Sequence, residues 1–199
     1  MAEPTARAAS VQRTTKETDI QLALVLDGTG QVTIRTGVGF LDHMLTLMAV
    51  HGLFDLEIMA RGDVEVDDHH TVEDLGICLG QAFAQALGDK SGIYRYGHAY
   101  VPMDETLARV CADFSNRPFL HYQVEIRESK IGSFDVPLAK EFLRALALHA
   151  GLTLHVDLLH GENGHHILEA VFKALGRALA AAAAPNPRVR GQLSSKGML

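Results

Sequence analysis

Cysteine is scarce. Cys78 and Cys111 are the only two in 199 residues. Both lie in apolar-periodic segments, which argues against a disulfide framework and for small buried hydrophobes in a reducing compartment. Long apolar runs are missing as well. No stretch reaches the roughly 20 residues that span a bilayer, and the Ala-rich residues 1–10 hold no apolar signal-peptide core. Positive charge is in deficit: the net charge is −6 with His neutral, which argues against nonspecific nucleic-acid binding. Neither Gly-x-x-x-x-Gly-Lys-Ser/Thr nor Gly-x-Gly-x-x-Gly occurs, so nucleotide binding has no support. What remains is a chain 47% hydrophobic and 21% charged, able to bury a real core. It reads as soluble and cytoplasmic, with neither a nucleic acid nor a membrane as partner.

Histidine, by contrast, is plentiful, with 11 residues, and it clusters. His69-His70-Thr71-Val72-Glu73 and His165-His166-Ile167-Leu168-Glu169 each place a Glu three residues after a His-His pair. Each also opens an apolar-periodic helix. Residues i and i+3 or i+4 share a helical face, so each cluster offers two imidazoles and one carboxylate. Chance alone gives about 0.03 such motifs in a chain of this composition. Helix capping is the competing explanation, and a doubled motif weighs against it.

The clusters sit at equivalent places in a repeated pattern. Strands are expected over 9–15, 20–26 and 31–36, with Asp27-Gly28-Thr29-Gly30 as a hairpin turn. A helix over 40–51 ends at Gly52, a strand covers 54–60, and a helix runs from the first His pair to 87. After a boundary at 88–92, strands at 96–103, 107–114 and 119–126 follow, with Arg117 at a hairpin tip. A helix at 138–150, a strand at 152–159 and a helix from the second His pair complete the chain. His69 to His165 and Glu73 to Glu169 are 96 apart; Leu45 to Leu143 and His51 to His149 are 98 apart. The chain is therefore one α+β domain over 1–199. It is an internally duplicated β-β-β-α-β-α unit, about 9–92 and 93–184, with a C-terminal arm at 185–199. Two sheets should pack through their helices.

At the 98-residue offset His43 falls on Glu141, a third ligand candidate for each half, on the preceding helix. Imidazole with carboxylate suits Mn, Fe, Co, Ni or Zn. Adjacent histidines point about 100° apart on a helix, so the two members of a pair should serve different metals. Ligands facing two ways invite a closed oligomer. His51 and His149 read as helix-end residues; His98, His121, His155 and His160 show no ligand spacing and read as structural or surface residues. Arg95, Arg117 and Lys173 are candidate anion-binding cations, and Ser194-Ser195-Lys196-Gly197 suits an oxyanion.

Phe40-Leu41-Asp42-His43-Met44, Asp67-Asp68 before the first His pair, Pro102-Met103-Asp104-Glu105, Gly164 before the second pair, and Ser194-Ser195-Lys196-Gly197 together resemble the imidazoleglycerol-phosphate dehydratase family. The resemblance implies a ribosomal protein S5 domain 2-like duplicated fold and a manganese enzyme of histidine biosynthesis with two Mn²⁺ per chain. It also implies a homo-oligomer of 24 subunits with ligands shared between them. The small phosphorylated substrate would be D-erythro-imidazole glycerol phosphate, losing water to give imidazole acetol phosphate. By position, the metal ligands would be His43, His69, His70, Glu73, Glu141, His165, His166 and Glu169. Substrate contacts would be Glu17, Arg95, Arg117, Lys173, Ser194 and Lys196. Glu17, Glu73 and Glu169 would be the catalytic carboxylates, with Glu17 moving the proton and Asp104 a weaker candidate. Two other readings compete: a dinuclear metallohydrolase of phosphate esters, and a non-catalytic metal-binding protein.

Overall fold

The computed structural model describes residues 7–199, so most of the Ala-rich stretch over residues 1–10 lies outside the described residues. The first half comprises β1 (Ala8–Thr14), β2 (Thr18–Val25), β3 (Val32–Arg35), α1 (Gly39–Gly52), β4 (Asp55–Gly62) and α2 (His69–Leu87). The second comprises β5 (Tyr96–Met103), β6 (Thr106–Asp113), β7 (Phe119–Gln123), β8 (Lys130–Ile131), β9 (Phe134–Asp135), α3 (Pro137–Ala150), β10 (Thr153–His160) and α4 (Gly164–Ala183). The β-β-β-α-β-α unit is thus written twice. The β8–β9 hairpin is an insertion that the repeat pattern does not reveal. β5 and β6 begin 88 residues after β1 and β2 (96 against 8, 106 against 18), whereas α3 and β10 begin 98 after α1 and β4 (137 against 39, 153 against 55).

Each half makes a four-stranded sheet, in the orders β1-β2-β4-β3 and β5-β6-β10-β7. The strands alternate. Ile20, Leu22 and Leu24 of β2 turn inward while Asp19 and Gln21 turn out, which gives each sheet one apolar face. The hairpin expected at 27–30 does not form, because β4 lies between β2 and β3 and pairs with both. Asp55, at the start of β4, instead ties down that turn: its Oδ1 accepts from the backbone amides of Thr29 and Gln31 at 2.8 and 2.9 Å. Likewise Arg117 is not at a hairpin tip, since β10 separates β6 from β7. In both halves a parallel pair must be joined by a crossover, and α1 or α3 provides it.

The four helices fill the space between the two sheets. Each helix buries the apolar residues that recur at helical spacing: Leu41, Met44, Leu45 and Met48 of α1; Val72, Leu75, Leu79, Phe83 and Leu87 of α2; Leu168, Val171, Phe172, Leu175 and Leu179 of α4. The halves exchange helices, with α1 packing on α4 and α3 on α2. Glycine sets both crossings. A Cβ on Gly176 would overlap the Met48 carbonyl oxygen, and one on Gly80 would lie 2.8 Å from the Leu146 carbonyl oxygen. Gly52 is not the residue that stops α1. Leu53 takes the left-handed conformation (φ 56°), where the second half has Gly151 (φ 62°). Gly52 stays helical, and a Cβ there would meet the Gly176 carbonyl oxygen at 2.9 Å.

Gly176→Val is expected to force α1 from α4, backbone against side chain, with no flexible neighbour to yield. Overpacking of this kind costs about 1–3 kcal/mol, or roughly 2–12 °C in Tm for a chain this long. Thermal unfolding followed by circular dichroism measures it, and an unchanged Tm would contradict the close crossing. Among the described residues, no helix is long and apolar enough to cross a membrane. Cys78 is buried in α2 and Cys111 lies half-buried on β6; both are free thiols.

Candidate active site

The two His-His pairs stand at the N-termini of α2 and α4. Asn163 caps α4, its side chain accepting from the amides of His165 and His166, and Asp67 does the same for His69. Within each pair the rings diverge: His69 and His70 are 6.2 Å apart at 87°, His165 and His166 6.3 Å apart at 85°. The first member of each pair faces the helix partner, and the second faces a loop.

Around His165 the set is tight. Glu169 Oε1 lies 3.1 Å from His165 Nε2 and 2.8 Å from His43 Nε2, while Lys173 Nζ donates to Oε2 at 2.6 Å. His43, His165 and Glu169 are the only group of three metal-ligand side chains among the described residues whose ligand atoms all lie within 4.8 Å. Burial opposes ionisation of Glu169, but hydrogen bonds from Lys173, His43 and His165 outweigh it and hold the carboxyl at about 2. His43 therefore joins the second half's pair and not, as the repeat alone suggests, that of its own half. The reason is the helix exchange: α1 packs on α4. In the same way Glu141 of α3 faces the first half's pair. Arg144 bridges Glu141 (2.6 Å) and Glu73 (3.6 Å), and His69 Nε2 stands 3.7 Å from Glu73.

The second histidines are set up alike. Asp63 grips His70 Nδ1 at 3.1 Å and Glu105 grips His166 Nδ1 at 2.8 Å; each hydrogen bond raises the imidazole's pKa. Each Nε2 faces a second carboxylate, Glu17 at 3.8 Å and Asp104 at 3.9 Å. Asp63 and Glu105 were not among the candidates. Asp63 reads as a turn residue in sequence, and Glu105 belongs to a motif without an evident partner. Glu105 is fully engaged, accepting also from the amides of Glu162 and Asn163. The His166 hydrogen bond, followed by these loop amides, keeps its carboxyl well below the usual range.

The anion candidates divide. Arg95 is buried, holds Asp113 through two nitrogens (2.7 and 3.0 Å) and donates to the Leu193 carbonyl oxygen (2.7 Å), so it anchors the arm. Arg117 is exposed and reaches Asp113 at 3.8 Å. Arg95, Arg188, Arg190, Ser194 and Ser195 line a cleft of about 500 Å³. The two further arginines of this cleft lie in a tail that shows no periodicity. Lys196 lies two residues beyond Ser194, whose hydroxyl accepts from the Lys196 amide. Lys173 is elsewhere, on Glu169. The Arg95 amide donates to the carbonyl oxygen of Ala182, thirteen residues beyond Glu169, so at 1.5 Å per residue cleft and cluster lie about 20 Å apart along α4. One chain does not bring its arm to its own His165–Glu169 cluster.

Fold and site together define a duplicated α+β protein with mirrored imidazole–carboxylate clusters of the kind that hold divalent metals. A family model described as imidazoleglycerol-phosphate dehydratase matches residues 36–179. The chain is similar to the imidazoleglycerol-phosphate dehydratase of Desulfotalea psychrophila, with 59% identity covering 97% of this chain and 96% of that one. It is similar to that of Heliobacterium modesticaldum at 60%, covering 97% and 100%. Among solved structures, the Staphylococcus aureus dehydratase superposes with a TM-score of 0.82 at 44% identity, over 90% of this chain and 99% of that one. The Pyrococcus furiosus protein gives 0.83 at 41%, over 95% and 100%. The chain belongs to the imidazoleglycerol-phosphate dehydratase family, and is a hydro-lyase.

Proposed function

We propose that the protein dehydrates D-erythro-imidazole glycerol phosphate to imidazole acetol phosphate in histidine biosynthesis, in the cytoplasm, with two Mn²⁺ per chain. The observation that carries metal dependence is the convergence of His43, His165 and Glu169. Two imidazoles and an ionised carboxylate suit a divalent first-row metal. Glu169 divides its oxygens, Oε1 toward the imidazoles and Oε2 to Lys173, so Lys173 orients the ligand without covering its free side. His69, Glu73 and Glu141 would hold the second ion. His70 and His166 would offer Nε2, each ring oriented through Nδ1 by its carboxylate. A bound metal supplies Lewis-acid polarisation and a template for the substrate.

Loss of water removes a hydroxyl from one carbon and a proton from its neighbour, and the resulting enol takes a proton on carbon to become the ketone. The departing proton is weakly acidic, so a positioned carboxylate has to move it. Glu17 suits this role. Its side chain is exposed and stands 3.8 Å from His70 Nε2, outside hydrogen-bond range. The arginine-lined cleft, which Ser194 and Ser195 also line, suits the substrate phosphate, with Lys196 next along the arm as a further cation. Because it lies about 20 Å from its own chain's Glu169, a complete site would combine one subunit's clusters with another's arm. That favours a homo-oligomer with shared sites, of 24 subunits as the family resemblance implies.

Protein stripped of metal should lose turnover of imidazole glycerol phosphate and regain it as Mn²⁺ approaches two per chain. Absence of turnover at full metal loading would reject the proposal.

A further inference from the structure

Four side chains outside these clusters share one rung of the second sheet's outer face. Cys111 of β6 pairs with His98 of β5 on one side and with His155 of β10 on the other. His155 pairs in turn with His121 of β7. Their strand neighbours Ala99, Val110, Ala112, Leu154 and Val156 are buried against the helices, so the rung points to solvent. The three imidazoles are exposed and the thiol is half-buried. Directly opposed residues on one sheet face hold their Cβ atoms about 4.5–5.5 Å apart, which puts an imidazole within reach on each side of the Cys111 sulfur. The His121 and His155 rings lie 5.2 Å apart. Asp157, itself paired with Arg109 at 3.0 Å, stands 3.5 Å from His121 Nε2, the arrangement by which carboxylates orient ligating imidazoles.

We propose that this rung is a further metal site, a thiolate–imidazole tripod of Cys111, His98 and His155 with His121 alongside, taking a borderline or thiophilic divalent metal such as Zn²⁺ or Co²⁺. Thiolate with imidazole selects such metals over Mn²⁺, so the rung and the imidazole–carboxylate clusters differ in preference. The ligand atoms do not already converge within 4.8 Å as those of His43, His165 and Glu169 do. Closure takes rotation of exposed side chains between staggered rotamers on a fixed sheet. The ligands stand at 98, 111, 121 and 155 on four strands, so linear spacing gives no sign of them; only the strand register does.

The test is a Co²⁺ titration of the full-length protein, followed by near-ultraviolet absorption. A sulfur-to-cobalt charge-transfer band requires a thiolate, which the imidazole–carboxylate clusters lack. Cys78 does not supply it, because it is wholly buried in the core between the helices and out of reach of added metal. The band should saturate, disappear on addition of Zn²⁺, be lost in Cys111→Ser, and weaken in both His98→Ala and His155→Ala. Turnover of Cys111→Ser should match that of the unsubstituted protein. As a second measurement, Zn²⁺ should slow alkylation of Cys111, and the double variant His98→Ala/His155→Ala should lose that protection. The proposal is overturned by no band at saturating Co²⁺, by a band that survives Cys111→Ser, or by protection that survives the double variant.

Discussion

Glu17→Gln is expected to lower turnover by about 10²–10⁴-fold, the usual contribution of a positioned general acid or base, while metal content stays at the level of the unsubstituted protein. The expectation rests on a contrast between the halves. The backbone around Glu17 is fixed: Thr15 Oγ1 accepts from the amides of Glu17 and Thr18 at 3.0 and 2.9 Å, and the Asp63 amide donates to the Glu17 carbonyl oxygen. Among the described residues the side chain makes no hydrogen bond, and it stands near His70 Nε2. Glu105 stands 88 residues on, at the equivalent position, but His166 and two loop amides engage both of its oxygens. A carboxylate held ionised in that way is a poor proton donor. Its role is to orient His166, as Asp63 orients His70. The amide of Gln keeps the size and polarity of Glu17 but carries no titratable proton, so a merely structural role would leave turnover within a few-fold. Measuring kcat and bound metal on the same preparation separates the possibilities. Near-normal turnover rejects Glu17 as the proton carrier, and joint loss of metal and turnover reassigns it as a ligand.

Much of this was legible because helical periodicity is local. A His-His-x-x-Glu stretch followed by apolar residues at helical spacing specifies both a helix and the face that its first turn presents, so α2 and α4 and their buried faces come directly from sequence. The 98-residue offset carried α1 onto α3 for the same reason. What stayed hidden is long-range. The exchange that brings His43 to Glu169 depends on Gly52 and Gly176 letting two backbones approach, and a helical glycine reads locally only as weak propensity. The Asp-Gly turn at 27–28 carries a strong hairpin signal, yet the parallel pairing of β3 with β4 overrides it. Asp63 and Glu105 sit beside turns, where a carboxylate is ordinary, and only the fold reveals the imidazole that each one grips. The separation of the arm's arginines from the imidazoles is a matter of helix length. Sequence contains that length but does not say which end the arm returns to.

Glu169→Gln should have the broadest effect of any single substitution, because three cationic or donor groups converge on one buried carboxylate. The amide still fills the space and still accepts a hydrogen bond, but the charge facing His43, His165 and Lys173 is gone. Lys173 Nζ is then left with little beyond the Met103 sulfur at 3.3 Å. Removing one partner of a largely buried ion pair costs up to about 3–5 kcal/mol; the solvent access remaining here brings the expectation to about 1–3 kcal/mol. The sign with pH follows from the depressed carboxyl of Glu169, at about 2. In metal-free protein its stabilisation is fully present above the ordinary carboxylate range and is lost as pH falls toward 2. The Gln variant should therefore be less stable at neutral pH and should lose less stability on acidification. Lys173→Met provides the second edge of a double-substitution cycle. Combined with Glu169→Gln it removes the orphaned ammonium, so stability should recover toward that of the parent while turnover and one of the two metals per chain stay lost. Recovery of stability alone separates the ion pair from the ligand role. If Glu169→Gln keeps both metals, or if the double variant remains as unstable as the single one, the central place given to this carboxylate is wrong.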